Sequence, residues 1–334
     1  MQGEADIRVG PVFKSRRLGH VNLFVEDMAR STHFYNRVCG LTVEFTELGL
    51  KANFFGTGNT PHDVGVIETT KGVNRYGRDG HLQIPAEAGA QIGLNHLAWE
   101  VDNEAELVAG YQRARERGVA IKRLADHQIA HSIYLPDPDG NMNEFYVDTV
   151  RDWRSVMHGE MDLVTSVWHP DPARATAEPC YDPDPEIRRV AEAPFHPQRL
   201  THAVLATRQV ERLEAFYRDI AGLAPVLRSP AGDLVLLRAA HSGYRYHLAI
   251  VAAGPDEEPG LHHYGLELAD EAALAAAVGA ARGGGLAIER EVETAAKHGI
   301  FLRDPDGFRV EFYAGRRYGA PADPGRDAER AWRV

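Results

Sequence analysis

The 334-residue sequence predicts an α+β fold of tandem paired βαβββ modules, four such units in two domains. Three observations predict it. First, LGHVNLFVEDMARSTHFYNRVCGL and LTHAVLATRQVERLEAFYRDIAGL each carry a His on a strand-like run leading into a helix closed by Gly. His20 and Gly40 lie 20 positions apart, as do His202 and Gly222. Second, GLNHLAWEVDNEAEL around His96 is repeated as GLHHYGLELADEAAL around His263. Third, each half closes with a DPDG turn and a strand bearing Glu144 or Glu311, 48 positions after His96 and His263 respectively.

Taken in order, residues 18–68 read as a strand (LGHVNLFV), a helix (EDMARSTHFYNRV) and three short strands (TVEFTE, KANFFGT, DVGVIET). Residues 94–148 repeat the plan with NHLAWEV, the helix NEAELVAGYQRARERG, and AIKRLA, HSIYLP and NEFYV. The first helix gathers Phe34, Tyr35, Val38 and Leu41 on one face. Its counterpart gathers Leu213, Phe216, Tyr217, Ile220 and Leu223. Gly40, Gly118 and Gly222 fall where helices end.

The expected domains are a metal-active first domain over 1–150, a Pro-rich ordered wrap or linker over 151–197, a second domain over 198–316 and a polar tail over 317–334. Trp153, Val164 and Trp168 give the wrap apolar anchors, since so long a connection needs its own order. Residues 72–91 are an insertion relative to the second half and lie where a mouth loop would sit.

Composition excludes several classes. Hydrophobic and charged fractions of 44% and 25% are those of a soluble globular chain. A net charge of −11 argues against nucleic acid and anionic membrane as partners. The N-terminal MQGEADIRVGPVFKSRR lacks the apolar run of a secretory signal, and no apolar stretch is long enough to span a bilayer. Cys39 and Cys180 have no ligand-like spacing and fit a reducing cytoplasm.

His20, His96 and Glu144 each fall on a different strand, and alternation lets all three face one concave surface. Two imidazoles and one carboxylate leave a divalent cation with open positions, a donor set that suits non-haem Fe(II), or Mn(II). His202, His263 and Glu311 offer the same composition as a second site.

These repeats resemble the vicinal oxygen chelate superfamily (glyoxalase, bleomycin resistance and extradiol dioxygenase fold), across nearly the whole chain apart from linker and tail. They are most similar to its two-domain extradiol, catechol-type ring-cleavage dioxygenases. In those enzymes a Tyr precedes the ligand Glu by ten residues, as Tyr134 precedes Glu144 here. ADHQIAHSIYLPDPDGNMNEFY resembles the corresponding family segment and implies His127 as the His ahead of that strand. PHDVGVIE implies His62 as the acid/base His near the oxygen site. The resemblance thus implies an Fe(II)-dependent (or Mn(II)-dependent) enzyme of aromatic catabolism that takes a catechol, aminophenol or hydroquinone together with O₂. It is also compatible with a homo-oligomer.

Such chemistry needs a base near a catechol that must lose protons, and a donor for the charge that develops on oxygen. His62, His127 and Tyr134 suit those roles. Alternation turns His131 the other way, toward a structural role. In the second half Phe301 stands at the Tyr position and Thr294 at that of His127. His247 resembles His62 in context, His298 aligns with His131, and His262 is disfavoured as a ligand. Two rival readings stand beside this one. A glyoxalase I-like isomerase or lyase would use Glu68, which has the same strand parity as His62, as a fourth ligand, and a non-catalytic binding or resistance protein would need no metal.

Overall fold

The computed structural model describes residues 10–239, 245–294 and 297–315; the tail expected from 317 onward lies outside them. The first βαβββ unit runs β1 Ser15–Val25, α1 Met28–His33, β2 Thr42–Glu47, β3 Ala52–Gly56 and β4 Val64–Glu68. A small hairpin follows, β5 Arg75–Tyr76 and β6 Leu82–Ile84, and is the 72–91 insertion. The second unit is β7 Gly93–Val101, α2 Glu104–Glu116, β8 Arg123–Asp126, β9 Ala130–Pro136 and β10 Met142–Asp148. Beyond it lie two short strands, β11 Gly159–Met161 and β12 Ser166–Val167.

The third unit is β13 Arg199–Thr207, α3 Val210–Asp219, β14 Leu223–Arg228, β15 Leu234–Ala239 and β16 Leu248–Ala252. The fourth is β17 Gly260–Glu267, α4 Glu271–Gly283, β18 Arg290–Glu293, β19 Lys297–Arg303 and β20 Arg309–Gly315. The α+β class and the fourfold βαβββ repeat expected from the sequence are therefore present.

Local chemistry starts the helices. The carboxylate or amide of Asp27, Asn103 and Asp270 accepts a first-turn backbone N–H, supplying a partner that helix geometry leaves wanting. The helix expected over 26–38 is shorter and changes pitch, passing from α1 into a π-helical turn over Phe34–Val38. Phe34 and Tyr35 are both buried there, their rings edge-on at 5.3 Å, as those of Phe216 and Tyr217 are at 5.2 Å on the regular helix α3.

Each module is one curved sheet. The first has the order β11-β2-β3-β4-β1-β7-β10-β9-β8-β12 and the second β14-β15-β16-β13-β17-β20-β19-β18. The first strands of paired units lie side by side at the centre, β1 against β7 and β13 against β17. The segment after β10 closes the first sheet at both edges, because β11 pairs with β2 and β12 with β8.

The modules interlock by a reciprocal exchange. Tyr35 of the first gives its hydroxyl to Asp304 in the second DPDG turn (2.8 Å), and Tyr217 of the second gives its own to Asp137 in the first (3.1 Å). All four groups are buried. The glycines closing the first helix of each module complete the symmetry. Gly40 (φ +75°) and Gly222 (φ +78°) adopt the left-handed conformation, with the carbonyls of Phe195 and Phe13 where a Cβ would be. The two modules share one continuous apolar core, in which Phe13 stacks on Phe145 at 4.1 Å and Phe195 on Phe312 at 4.0 Å.

Candidate metal centre

Three adjacent strands build the first cluster. His20 on β1 and Glu144 on β10 both stand opposite Ala98 of β7, and His96 lies two residues along β7 on the same face. All three side chains are buried. His20 Nε2 lies 3.2 Å from His96 Nε2 and 2.9 Å from Glu144 Oε2, which is also 2.9 Å from His96 Nε2. Ligands about 2.1 Å from one ion at right angles are roughly 3 Å apart. The three atoms therefore stand at the spacing of one octahedral face and fit a divalent cation.

Electrostatics agree with that fit. Burial would raise the Glu144 carboxyl, but facing His96 and His20 outweigh it and hold it well below the usual carboxylate range. Burial lowers His96, keeping its imidazole neutral and able to donate a lone pair.

The cluster forms one end of a cavity of about 510 Å³. Its wall includes Phe24, Phe45, Phe54 and Ile67, and the 72–91 insertion contributes Leu82, Gln83 and Ile84 to its lining. His62, Tyr134 and His127 line the same cavity. His62 precedes β4, and its ring lies over that of His20 (centroids 3.9 Å apart) with Phe54 edge-on at 4.8 Å. Both its ring nitrogens are buried and make no hydrogen bond among the described residues. Burial first, then His20, hold it well below the ordinary His value.

On the other side, Tyr134 stands directly opposite Glu144 across β9 and β10. Its hydroxyl meets His127 Nε2 at 3.0 Å, while His127 Nδ1 meets Thr165 Oγ1 at 2.9 Å. Burial pushes His127 down to about 4 and the Tyr134 phenol well up, so near neutrality the first is an unprotonated imidazole and the second an intact hydroxyl. His131 faces away, joined to Glu104 and stacked on Trp168 of the wrap.

Glu68 is not part of this centre, which removes the fourth ligand that a glyoxalase I-like site would need. It pairs with Lys51 and Lys71, while its neighbour Ile67 faces the cavity. The expectation counted strand parity from His62, but β4 begins at Val64, so alternation does not carry across the intervening turn.

The second cluster has the same three residue types but different geometry. His202 Nε2 lies 3.1 Å from Glu311 Oε2, whereas His263 Nε2 is 3.9 Å from it and His263 Nδ1 faces His262 Nδ1 at 2.6 Å. The His202 ring occupies the space that a Cβ on Gly265 would take; the first module has Ala98 at that position. Lys297, buried on β19, extends its ammonium to Glu311 Oε1 in an ion pair. It stands four residues before Phe301, as Ala130 stands before Tyr134, so the two occupy equivalent positions. The three residues of the second cluster still lie close enough together to hold an ion, but Lys297 on the shared carboxylate sets it apart from the first. Sequence reasoning compared Phe301 with Tyr134 but did not extend the comparison those four residues.

His247, the counterpart of His62, takes Ala239 N–H on Nδ1 at 3.2 Å. His298 bonds Glu271 and Glu291, and the hydroxyl of Thr294 donates to the Lys297 carbonyl. Among the described residues, no helix is long and apolar enough to cross a membrane.

Residues 17–145 and 199–312 match the model of the Glyoxalase/Bleomycin resistance protein/Dioxygenase superfamily. A catechol-2,3-dioxygenase of Bacillus subtilis is 24% identical over 286 residues, covering 83% of this chain and 92% of the relative. The fold also matches a Pseudomonas 2,3-dioxygenase, LapB (TM-score 0.64, 15% identity, 93% of this chain and 96% of that one). A Mn(II)-bound glyoxalase from Novosphingobium aromaticivorans matches with TM-score 0.62 and 14% identity over 90% of this chain and 82% of that one.

Proposed function

Because the chain belongs to the glyoxalase/bleomycin resistance protein/dioxygenase superfamily, we propose that its first module is a metal-dependent extradiol dioxygenase opening the ring of a catechol-like aromatic with O₂. The metal ligands are His20, His96 and Glu144. The observation that carries this reading is the convergence of that triad with Tyr134, His127 and His62 on one buried cavity. Similarity to catechol-cleaving relatives supports it.

Fe(II), which this donor set suits as Mn(II) also does, supplies electron transfer between a chelated ring and O₂ when bound. The protein's own groups divide the remaining work. The apolar wall of Phe24, Phe45, Phe54 and Ile67 receives an aromatic ring and excludes water, which strengthens every polar contact inside. His127 is kept neutral and near the carboxylate ligand, 3.8 Å from Glu144 Oε1, where it can take a proton or hydrogen bond from a substrate hydroxyl. The Tyr134 hydroxyl stays protonated and donates to oxygen as negative charge grows there. His62, on the opposite side of His20 and without a competing partner, holds or returns a proton at the oxygen end. An aminophenol or hydroquinone would meet the same groups. A reducing cytoplasm suits this chemistry and the two free cysteines.

The test is direct. Protein loaded with Fe(II) under anaerobic conditions, then given a catechol and air, is expected to consume O₂ and form a yellow ring-opened product. No oxygen uptake across a panel of catechols, aminophenols and hydroquinones would overturn the reading.

A further inference from the structure

We propose that Glu47 and Gln83 form a recognition site for a protonated amine carried on a short chain of the aromatic substrate; this inference rests on the ring-cleavage reading. Glu47 ends β2 and lines the same cavity as the metal cluster, yet it is only 3% exposed. Its Oε1 accepts the Val164 N–H at 3.1 Å, and Oε2 has no hydrogen-bond partner among the described residues. No Lys or Arg among them forms an ion pair with it. Arg123 acts on it only from a distance, its guanidinium lying over the Tyr134 ring and donating to the Gln83 carbonyl.

Gln83 is the second element. Its Nε2 donates to Thr165 Oγ1 at 2.9 Å, and its buried Oε1 is without a partner. Since Val164 and Thr165 are consecutive, both side chains are anchored on one short stretch of the wrap. Leu50, Ile84, Met157 and Val164 make the surrounding wall apolar. Gln83 Oε1 is a buried acceptor without a donor, and Glu47 uses only one of its two oxygens in the hydrogen bond from Val164, so a cavity that keeps such acceptors suits a ligand that brings donors. An ammonium brings three N–H groups and a positive charge, a hydroxyl only one donor, and an alkyl group none. A carboxylate would be repelled. Burial holds the Glu47 carboxyl up at about 7, where a cation would readily draw it into the ionised form.

Reach is adequate. The Phe45 ring is 6.4 Å from that of His62, and Glu47 lies two residues farther on the same strand face. Those two residues advance roughly 7 Å. A chain of two or three carbons with its terminal nitrogen spans roughly 4–5 Å, and its hydrogen bond adds about 3 Å, which together cover that interval.

The experiment compares a catechol bearing an aminoethyl chain with one bearing a propyl chain. Both are offered to iron-loaded wild type and to the Glu47→Gln variant, which keeps an oxygen for Val164 N–H. Affinity is read by anaerobic calorimetry and turnover by O₂ uptake. Wild type is expected to prefer the amine by about tenfold in affinity. The variant should lose that preference through KM rather than kcat, while staying folded at least as stably as wild type near neutral pH. A preference that survives Glu47→Gln, or is absent from wild type while both catechols are cleaved, overturns the amine site alone. Failure of both catechols to bind or turn over overturns the ring-cleavage reading with it. A misfolded variant leaves the wild-type comparison to decide by itself.

Discussion

Lys297 makes a buried ion pair with Glu311 at the position where the first module has Ala130 opposite Asp148. The duplicated clusters share their three ligand types, and this one side chain separates them. Removing the ammonium should open the second cluster to metal. Wild type loaded with Fe(II) and desalted is expected to hold one iron per chain, and the Lys297→Met variant two. Without metal, that variant should lose about 3–5 kcal/mol, because Glu311 is left buried and uncompensated. Added divalent metal should restore part of that loss. One iron in the variant, or two in wild type, would contradict the account.

The Tyr134 hydroxyl is the clearest chemical difference between the modules, since Phe301 occupies its place in the second. The Tyr134→Phe substitution removes one donor and little volume. Turnover is expected to fall about 10²-fold, with anaerobic catechol affinity changed far less. An equal loss in affinity and turnover would make Tyr134 a binding group only.

His62 touches the His20 ring but is not placed to complete the triad. The His62→Phe variant should therefore keep its iron content and lose about 10²–10⁴ in turnover. Loss of iron, measured on the desalted protein, would make His62 a ligand instead.

Burial holds the Glu47 carboxyl at about 7 against an ordinary 4.5, with Asp162 adding to the shift and Val164 N–H and Arg123 opposing it. An acid raised in this way binds its proton more tightly when folded. Its contribution to stability is therefore full below about 4.5 and is lost as pH rises through about 7. The Glu47→Gln variant lacks this dependence. Denaturant unfolding should show variant stability rising relative to wild type between about pH 5 and pH 8, by up to about 3 kcal/mol. A constant difference would contradict the shift.

What the sequence made legible follows from periodicity. His20, His96 and Glu144 could be found because the repeat fixes their spacing and strand alternation fixes their face. Tyr134 came from the family resemblance, in which a Tyr precedes the ligand Glu by ten residues. The Glu68 expectation failed where alternation was carried across the turn between His62 and Val64. Glu47 was invisible because its anchor, the Val164 N–H, comes from an irregular segment 117 positions away. The crossed Tyr35–Asp304 and Tyr217–Asp137 bonds were hidden for a related reason. Their residues recur visibly in both halves, but only the docking of one module on the other shows that each Tyr serves the opposite turn.

The central claim is that one module works, and oxygen uptake on a catechol by two iron-loaded variants tests it most directly. The His96→Ala variant is expected to consume no oxygen, and the His263→Ala variant to retain most of the wild-type rate. Retained uptake in the first with loss in the second would contradict the account.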